Sequence, residues 1–582
     1  MSAVLPGTAQ DLAGPGRAET TGPAPSPGAM LEPWLLRALL ALGLLLLGLA
    51  VLAPLASLGW RSLLDAQGQF VGLANFQAYL GGGRRLESLT NSLLLSALSA
   101  SLCVGLAYGY AWALTHCRLP AALLWRALAL LPLLAPSLLA AIGLVYTFGQ
   151  QGLLKELLVL LGLPGLYGTT GIVLGSVLWT FPHALLILGT ALSSRDARLY
   201  EAAQCLGAGP WRIFATVTLP GSRYGLLMAW VVVFVLVITD FGVPKVVGGQ
   251  TPMLATDIYK EVVGQQKLHM GAVVALLLLL PAALAFRVEQ WLRARQAASL
   301  GLRAVLHVPQ RRALRDGLAL LYVAGVAVAL AGVFAVAVYA SFATYWPYRL
   351  TPTLAHYAFD MSDGGGWAAY GNSLKLALWT AAAGTLLSFV LAWLVDKPRG
   401  LAPGRGLLHA MATLPMAVPG LALGLGYILF FNAPWNPLRG LYGSLALLVI
   451  CTVAHFYSVA HITQLSGLRQ LDGEYELVAQ SLGQPFWRQL WRVHLPVALP
   501  TLVQVAGYFF VSALTTVSAL VFLYTPSTEL AAIAVLAMDD AGDTAPAAAM
   551  ATLLFATAAL GRGLIALLGQ GLVQRTQRWR AK

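Results

Sequence analysis

Residues Tyr200 to Pro220 read YEAAQCLGAGPWRIFATVTLP, and residues Glu476 to Pro496 read ELVAQSLGQPFWRQLWRVHLP. In the register set by Gly207 and Gly483 they share Ala203/Ala479, Gln204/Gln480, Leu206/Leu482, Trp211/Trp487, Arg212/Arg488, Val217/Val493, Leu219/Leu495 and Pro220/Pro496. Identity on that scale within one chain indicates a duplication. Both copies are polar, mixed in charge and broken by Gly and Pro, in a chain that is otherwise almost continuously apolar, so each is a loop outside a bilayer. The first loop predicts a short helix from Asp196 to Leu206, with Asp196 and Glu201 near the end that a helix dipole favours for carboxylates. Gly207 permits the left-handed turn that ends such a helix. Trp211, Phe214, Val217 and Leu219 then give a second short helix one apolar stripe, which Pro220 is expected to stop.

The rest of the chain sets this loop in a membrane. Of 582 residues, 58% are hydrophobic and 10% charged, and the mean hydropathy is +0.74; soluble domains carry about 25% charged residues. The net charge of +13 follows from cations retained in loops on one side of a membrane and requires no nucleic acid. Cys103, Cys117, Cys205 and Cys451 show no metal-ligand spacing and read as reduced, structural thiols. The chain has no G-x-x-x-x-G-K-[ST] phosphate loop, no H-E-x-x-H and no nucleophile elbow in a strand-to-helix context, so no catalytic or metal site is assigned and energy must come from elsewhere.

Taken in order, residues 1–30 form a Gly-, Pro- and Ala-rich tail without a hydrophobic pattern, expected to be disordered. Apolar runs recur at 34–60, 89–115, 121–148, 168–192, 222–243 and 271–289, and again at 315–341, 370–395, 406–431, 440–463, 497–522 and 546–570, which predicts twelve spans. The halves are 31–290 and 315–572, with an Arg-rich linker at 291–314 and a basic tail at 573–582. Arg and Lys concentrate in the loops that share a side with both duplicated segments, placing those segments and both termini in the cytoplasm. Further echoes support the repeat: Asn91-Ser92-Leu93 with Ala111-Trp112 matches Asn372-Ser373-Leu374 with Ala392-Trp393, and Leu131-Pro132 with Pro136 matches Leu414-Pro415 with Pro419. An even number of spans per half makes the repeats parallel about an axis along the membrane normal.

The pattern E-A-A, three residues, G, and a closing L-P resembles the EAA loop of binding-protein-dependent ABC importer permeases. The resemblance implies an all-α polytopic membrane protein with two parallel six-helix repeats of the type I ABC importer permease fold. It implies a bacterial inner-membrane location and no cofactor in this chain, with ATP and Mg held by a partner, a cytoplasmic ABC ATPase homodimer. It also implies a periplasmic substrate-binding protein on the other side. Carried over residue by residue, the coupling positions are Glu201, Ala202, Ala203, Gly207 and Phe214 in the first copy and Glu476, Ala479, Gly483 and Trp487 in the second. The second copy departs from the pattern, holding Leu477 at the Glu position with Glu476 one residue early.

A tentative pathway follows from Thr239-Asp240 and Lys245 in the first half and Thr516 and Ser518 in the second. Asp240 is expected about 20 Å along the helix from Gly225, where an ionisable group suggests a pathway or gate; the alternative is a carboxylate that pairs with Lys245 or caps a broken helix. Lys375 reads as a snorkelling residue, and His455 and His461, six residues apart, read as packing residues rather than i, i+4 ligands. The outer loops are charge-asymmetric, with Lys245, Lys260 and Lys267 in one and Asp539, Asp540 and Asp543 in the other, which suits a binding protein docking in one orientation. Fused permeases of this build resemble importers for ferric iron, thiamine, polyamines and 2-aminoethylphosphonate. TDFGVPKVVGG (Thr239–Gly249), ATDIYKEVVGQQ (Ala255–Gln266), VSALVFLYTP (Val517–Pro526) and MDDAGDT (Met538–Thr544) look most like the last. The rival class is an ion-coupled carrier, which is expected to place ionisable groups or broken helices in both halves.

Overall fold

The computed structural model describes residues 27–576 except 195, 300–308, 362, 399–401 and 472. The expected tails therefore lie largely outside the described residues, as does the middle of the linker. Among the described residues ten helices are long and apolar enough to cross a membrane, and two further apolar segments are sharply bent pairs. The protein is an all-α polytopic membrane protein, with one small antiparallel hairpin, Ala343–Tyr345 with Arg349–Pro352.

Counted as one span each, the bent pairs bring the ten helices to the twelve spans expected, and they add a bend that the sequence did not indicate. The segments expected at 121–148 and 406–431 are not straight spans but turn by 107° between Ala122–Leu134 and Ser137–Phe148, and by 111° between Pro403–Ala417 and Gly420–Phe431. The duplicated prolines are the cause. Ala135 precedes Pro136 at φ −100°, ψ 142°, and Val418 precedes Pro419 at φ −101°, ψ 116°; a proline ring pushes the residue before it out of the helical region. The spans expected at 222–243 and 497–522 also end early, as helices Leu219–Thr239 and Leu495–Thr515.

The first membrane segment of each half packs on the opposite half. Residues of Ala53–Ser62 lie against Gly420–Phe431, and helix Ala313–Phe342 lies against Ser137–Phe148 and Ala122–Leu130. Two equivalent glycines allow the approach. A Cβ on Gly143 would stand 2.8 Å from the carbonyl oxygen of Val333, and one on Gly426 would stand 2.7 Å from that of Pro54. Small residues at such crossings are how membrane helices come close without water to drive them together. A π-turn at Gly48–Leu52 accompanies the contact, and there Tyr427 donates its hydroxyl hydrogen to the carbonyl of Ala50 at 2.8 Å.

Candidate functional site

Each duplicated loop folds as helix, corner and helix. The first helix runs Ala197–Cys205, and Asp196 caps it by accepting from the Arg198 N–H at 3.1 Å. Gly207 takes φ +71° and Gly483 φ +62°. Beyond each glycine the next N–H returns to the helix, Ala208 to the Ala203 carbonyl at 3.0 Å and Gln484 to the Ala479 carbonyl at 2.9 Å. That 6→1 bond belongs to the Schellman helix end, which needs the left-handed residue that glycine adopts without strain.

Pro220 does not stop the second helix. Pro210–Thr239 is one continuous helical path, and so is Phe486–Thr515. A π-turn, Phe214–Thr218 or Leu490–His494, precedes each proline, which then falls in the first turn of the next α-helical segment. Proline is tolerated there because its missing N–H has no bond to lose.

The two loops present different surfaces. Glu201 and Ala202 are exposed on the first, with Ala203 and Phe214 half-buried; Trp211, 78% exposed, stacks on Phe214 at 5.6 Å. On the second, Leu477, Val478 and Leu482 are exposed, and a cleft of about 710 Å³ opens beside Tyr475, Val478, Leu482 and Arg488. Trp487 is partly exposed and edge-on to Phe486.

Glu476, expected to face outward with the coupling residues, turns inward. Its carboxylate forms an ion pair with Lys397 at 2.7 Å, and His494 Nε2 lies 3.7 Å away. Trp393 donates its indole N–H to His494 Nδ1 at 2.9 Å; indole is a donor only, so Nδ1 accepts and Nε2 carries the hydrogen that faces Glu476. Lys397 also contacts Asp396 at 3.3 Å, and Asp396 in turn holds Arg469 at 3.2 Å. In the first half the equivalent of Glu476 is Tyr200, whose hydroxyl meets His116 Nε2 at 3.2 Å, with Trp112 stacked on the His116 ring. His116 and Lys397 hold the same place relative to Trp112 and Trp393. Sequence reading passed over both partners because Lys397 was absorbed into the cation count; the echo Ala111-Trp112/Ala392-Trp393, extended a few residues, would have found them.

On the opposite face the chain breaks at matching points. Helix Leu219–Thr239 ends at Asp240 with φ −71°, ψ 134°, and helix Leu495–Thr515 ends at Thr516 with φ −76°, ψ 135°. Asp240 thus stands at the helix end, where its carboxylate accepts from the Gly242 and Val243 N–H groups at 3.3 and 3.0 Å, capping the short helix Gly242–Val247. Thr239 bonds its own helix at Val235. Each break packs on a bend: Gly242 abuts Ser137, and Ser518 abuts Gly420. The glycine and the serine exchange places between halves, so each contact keeps one small partner.

Lys245 does not pair with Asp240. It crosses to the second half and meets Asp540 at 2.8 Å, with its ammonium 5.4 Å from the centre of the Tyr259 ring. Tyr259 stacks in turn on Phe522 of the second half at 6.3 Å. Burial, reinforced by Asp540, pushes the neighbouring Asp539 carboxyl up to about 6, against the pull of Lys245. His461 meets His409 at 3.2 Å, a pairing the sequence did not indicate. No group of three His, Cys, Asp or Glu suited to a metal occurs among the described residues.

The fold is a duplicated membrane architecture, with a structured loop at the same point of each half and matched breaks across the membrane. The chain belongs to the family described as binding-protein-dependent transport system inner membrane component, which matches residues 104–297 and 401–574. It is an ABC importer permease of that type. It is 29% identical over 492 residues to the ferric transport system permease protein FbpB of Actinobacillus pleuropneumoniae, covering 82% of this chain and 70% of that one. It is also 30% identical over 157 residues to the molybdenum transport system permease protein ModB of Escherichia coli, 27% of this chain and 69% of that one.

Proposed function

We propose that the chain supplies both halves of the permease, that Ala197–Val217 and Glu474–Val493 are its coupling loops, and that they dock on a cytoplasmic ATPase homodimer holding ATP and Mg. The single observation that carries this is the pair of helix-corner-helix loops on one side of the molecule, each with its glycine corner in the left-handed region. The opposite side, bearing Lys245 and Asp540, is read as the face that meets a binding protein, and the termini are read as cytoplasmic from the distribution of Arg and Lys. Nucleotide binding draws the loops together and redirects the pathway. To invert a 1:99 population the partners must supply about 5.5 kcal/mol of differential binding.

The cargo proposed is 2-aminoethylphosphonate, on the resemblance of the four stretches at Thr239–Gly249, Ala255–Gln266, Val517–Pro526 and Met538–Thr544. Ferric iron is the second reading, favoured by the name of the relative that aligns over most of the chain. The test is uptake of radiolabelled 2-aminoethylphosphonate, with iron, thiamine and polyamines in parallel, by cells expressing the chain with its ATPase and binding protein. Uptake that needs both partners and survives collapse of the proton gradient supports the reading, and the accepted solute names the cargo. Uptake by the chain alone, driven by an ion gradient, overturns it.

A further inference from the structure

We propose that helix Gly366–Asp396 is a strut tying the second loop to the contact between the halves on the opposite face, with the Glu476–Lys397 ion pair as its joint; this rests on the coupling reading above. The helix has 31 residues without a break, about 46 Å at 1.5 Å per residue, so its ends move together. At the loop end Lys397 closes the helix and meets Glu476, while Trp393 holds His494. At the far end Asn372 donates to the carbonyls of Ser527 and Glu529, both at 3.1 Å. Beside it Ser373 Oγ accepts at 2.8 Å from the N–H of Ala531, the first residue of helix Ala531–Ala541. That helix carries Asp540, the partner of Lys245 across the halves.

The first half repeats the arrangement. Helix Gly83–His116 holds Tyr200 at one end through His116. At the other, Asn91 donates to the Pro252 carbonyl at 3.2 Å and Ser92 accepts from the Leu254 N–H at 2.9 Å. Leu254 opens the helix that ends at Tyr259, against which Lys245 rests. The two struts therefore converge on one inter-half contact. The helices that leave the loops directly cannot serve as well, because both break into extended backbone at Asp240 and Thr516. The struts are unbroken routes, and the second is joined by the full charges of Glu476 and Lys397.

Lys397 and Glu476 are thus positioning residues, and the readout must be motion at the far face. In the complete complex in lipid nanodiscs, with the exposed Cys205 replaced by Ser, Tyr259→Cys and Phe522→Cys report the inter-half contact through the rate of cross-linking by a short bifunctional thiol reagent. Trapping with ATP and orthovanadate is expected to change that rate severalfold. Lys397→Met should abolish the change while the ATPase stays bound. Rebuilding the first half's clasp in the second, with Lys397→His, Glu476→Tyr and His494→Thr, should restore it. A nucleotide response preserved in Lys397→Met overturns the strut, and so does a rebuilt clasp that fails to restore it. A rate indifferent to nucleotide before any clasp substitution is a different result: it removes the coupling reading itself.

Discussion

Beneath its copy of the duplicated loop one half of the molecule holds a tyrosine against a histidine, and the other holds a glutamate against a lysine, at the same positions of the same fold. The backbone around them is shared down to the glycine corners, the π-turns and the angles at the two helix breaks. Duplication thus preserved the path of the chain and left the fastening free to change. The difference extends to the exposed surface. The half with the Tyr200–His116 clasp presents the carboxylate of Glu201, whereas in the other half the carboxylate has moved one residue along, turned inward to Lys397 and left Leu477 outside. A carboxylate at this point of the loop can face outward or close the clasp, and the two halves differ in which it does.

The sharpest way to break the comparison is at the feature both loops share. Gly207→Val and Gly483→Val each force a β-branched residue into the left-handed region, a strain of about 1–3 kcal/mol. Each should abolish substrate-stimulated ATP hydrolysis by the complex while leaving membrane insertion intact; stimulation surviving in both would show that the corners do not couple. The clasps should then separate the halves. Glu476→Ala takes from Lys397, whose side chain is 6% exposed, the nearer of its two carboxylates and leaves Asp396 at 3.3 Å, so it costs part of the about 3–5 kcal/mol of an uncompensated buried charge. Tyr200→Phe loses the hydroxyl contact with His116, about 1 kcal/mol for a hydrogen bond. Thermal unfolding in detergent should show a larger drop for the first, and equal drops would make the Glu476–Lys397 clasp no stronger than the Tyr200–His116 one.

Smaller effects are expected on the far face. Lys245 and Asp540 are 25% and 45% exposed, so solvent screens them and a double-mutant cycle should give at most about 1 kcal/mol of coupling. Asp539 predicts a pH effect of definite sign. Its carboxyl titrates near 6 when folded, above the ordinary 3.8, so the folded state binds this proton more tightly than the unfolded chain. Its contribution is present below pH 4 and is lost as pH rises through 6. Asp539→Asn should flatten the stability profile across that window, and an unchanged profile would show that Asp539 does not contribute there.

Much of this was legible in the chain. Two loops aligned on Gly207 and Gly483 mark a duplicated membrane protein because the requirements involved are local: a left-handed corner, an apolar stripe, runs long enough to cross a bilayer; that it is a permease rested on the resemblance of the E-A-A pattern. The Asn-Ser and Leu-Pro echoes marked the fastening and bending points without saying what they do. Sequence placed Asp240 within a span and offered Lys245 as a partner because the two are five residues apart; the helix ends first, and Lys245 finds Asp540 nearly three hundred residues away. The same limit hid Lys397 behind its charge and concealed that each half's first helix packs on the other half. Periodicity and backbone chemistry act between neighbours and are written in order along the chain. Which buried charge finds which counter-charge, and which half a helix covers, depends on what long-range packing brings within a few ångströms, and only the tertiary structure decides that.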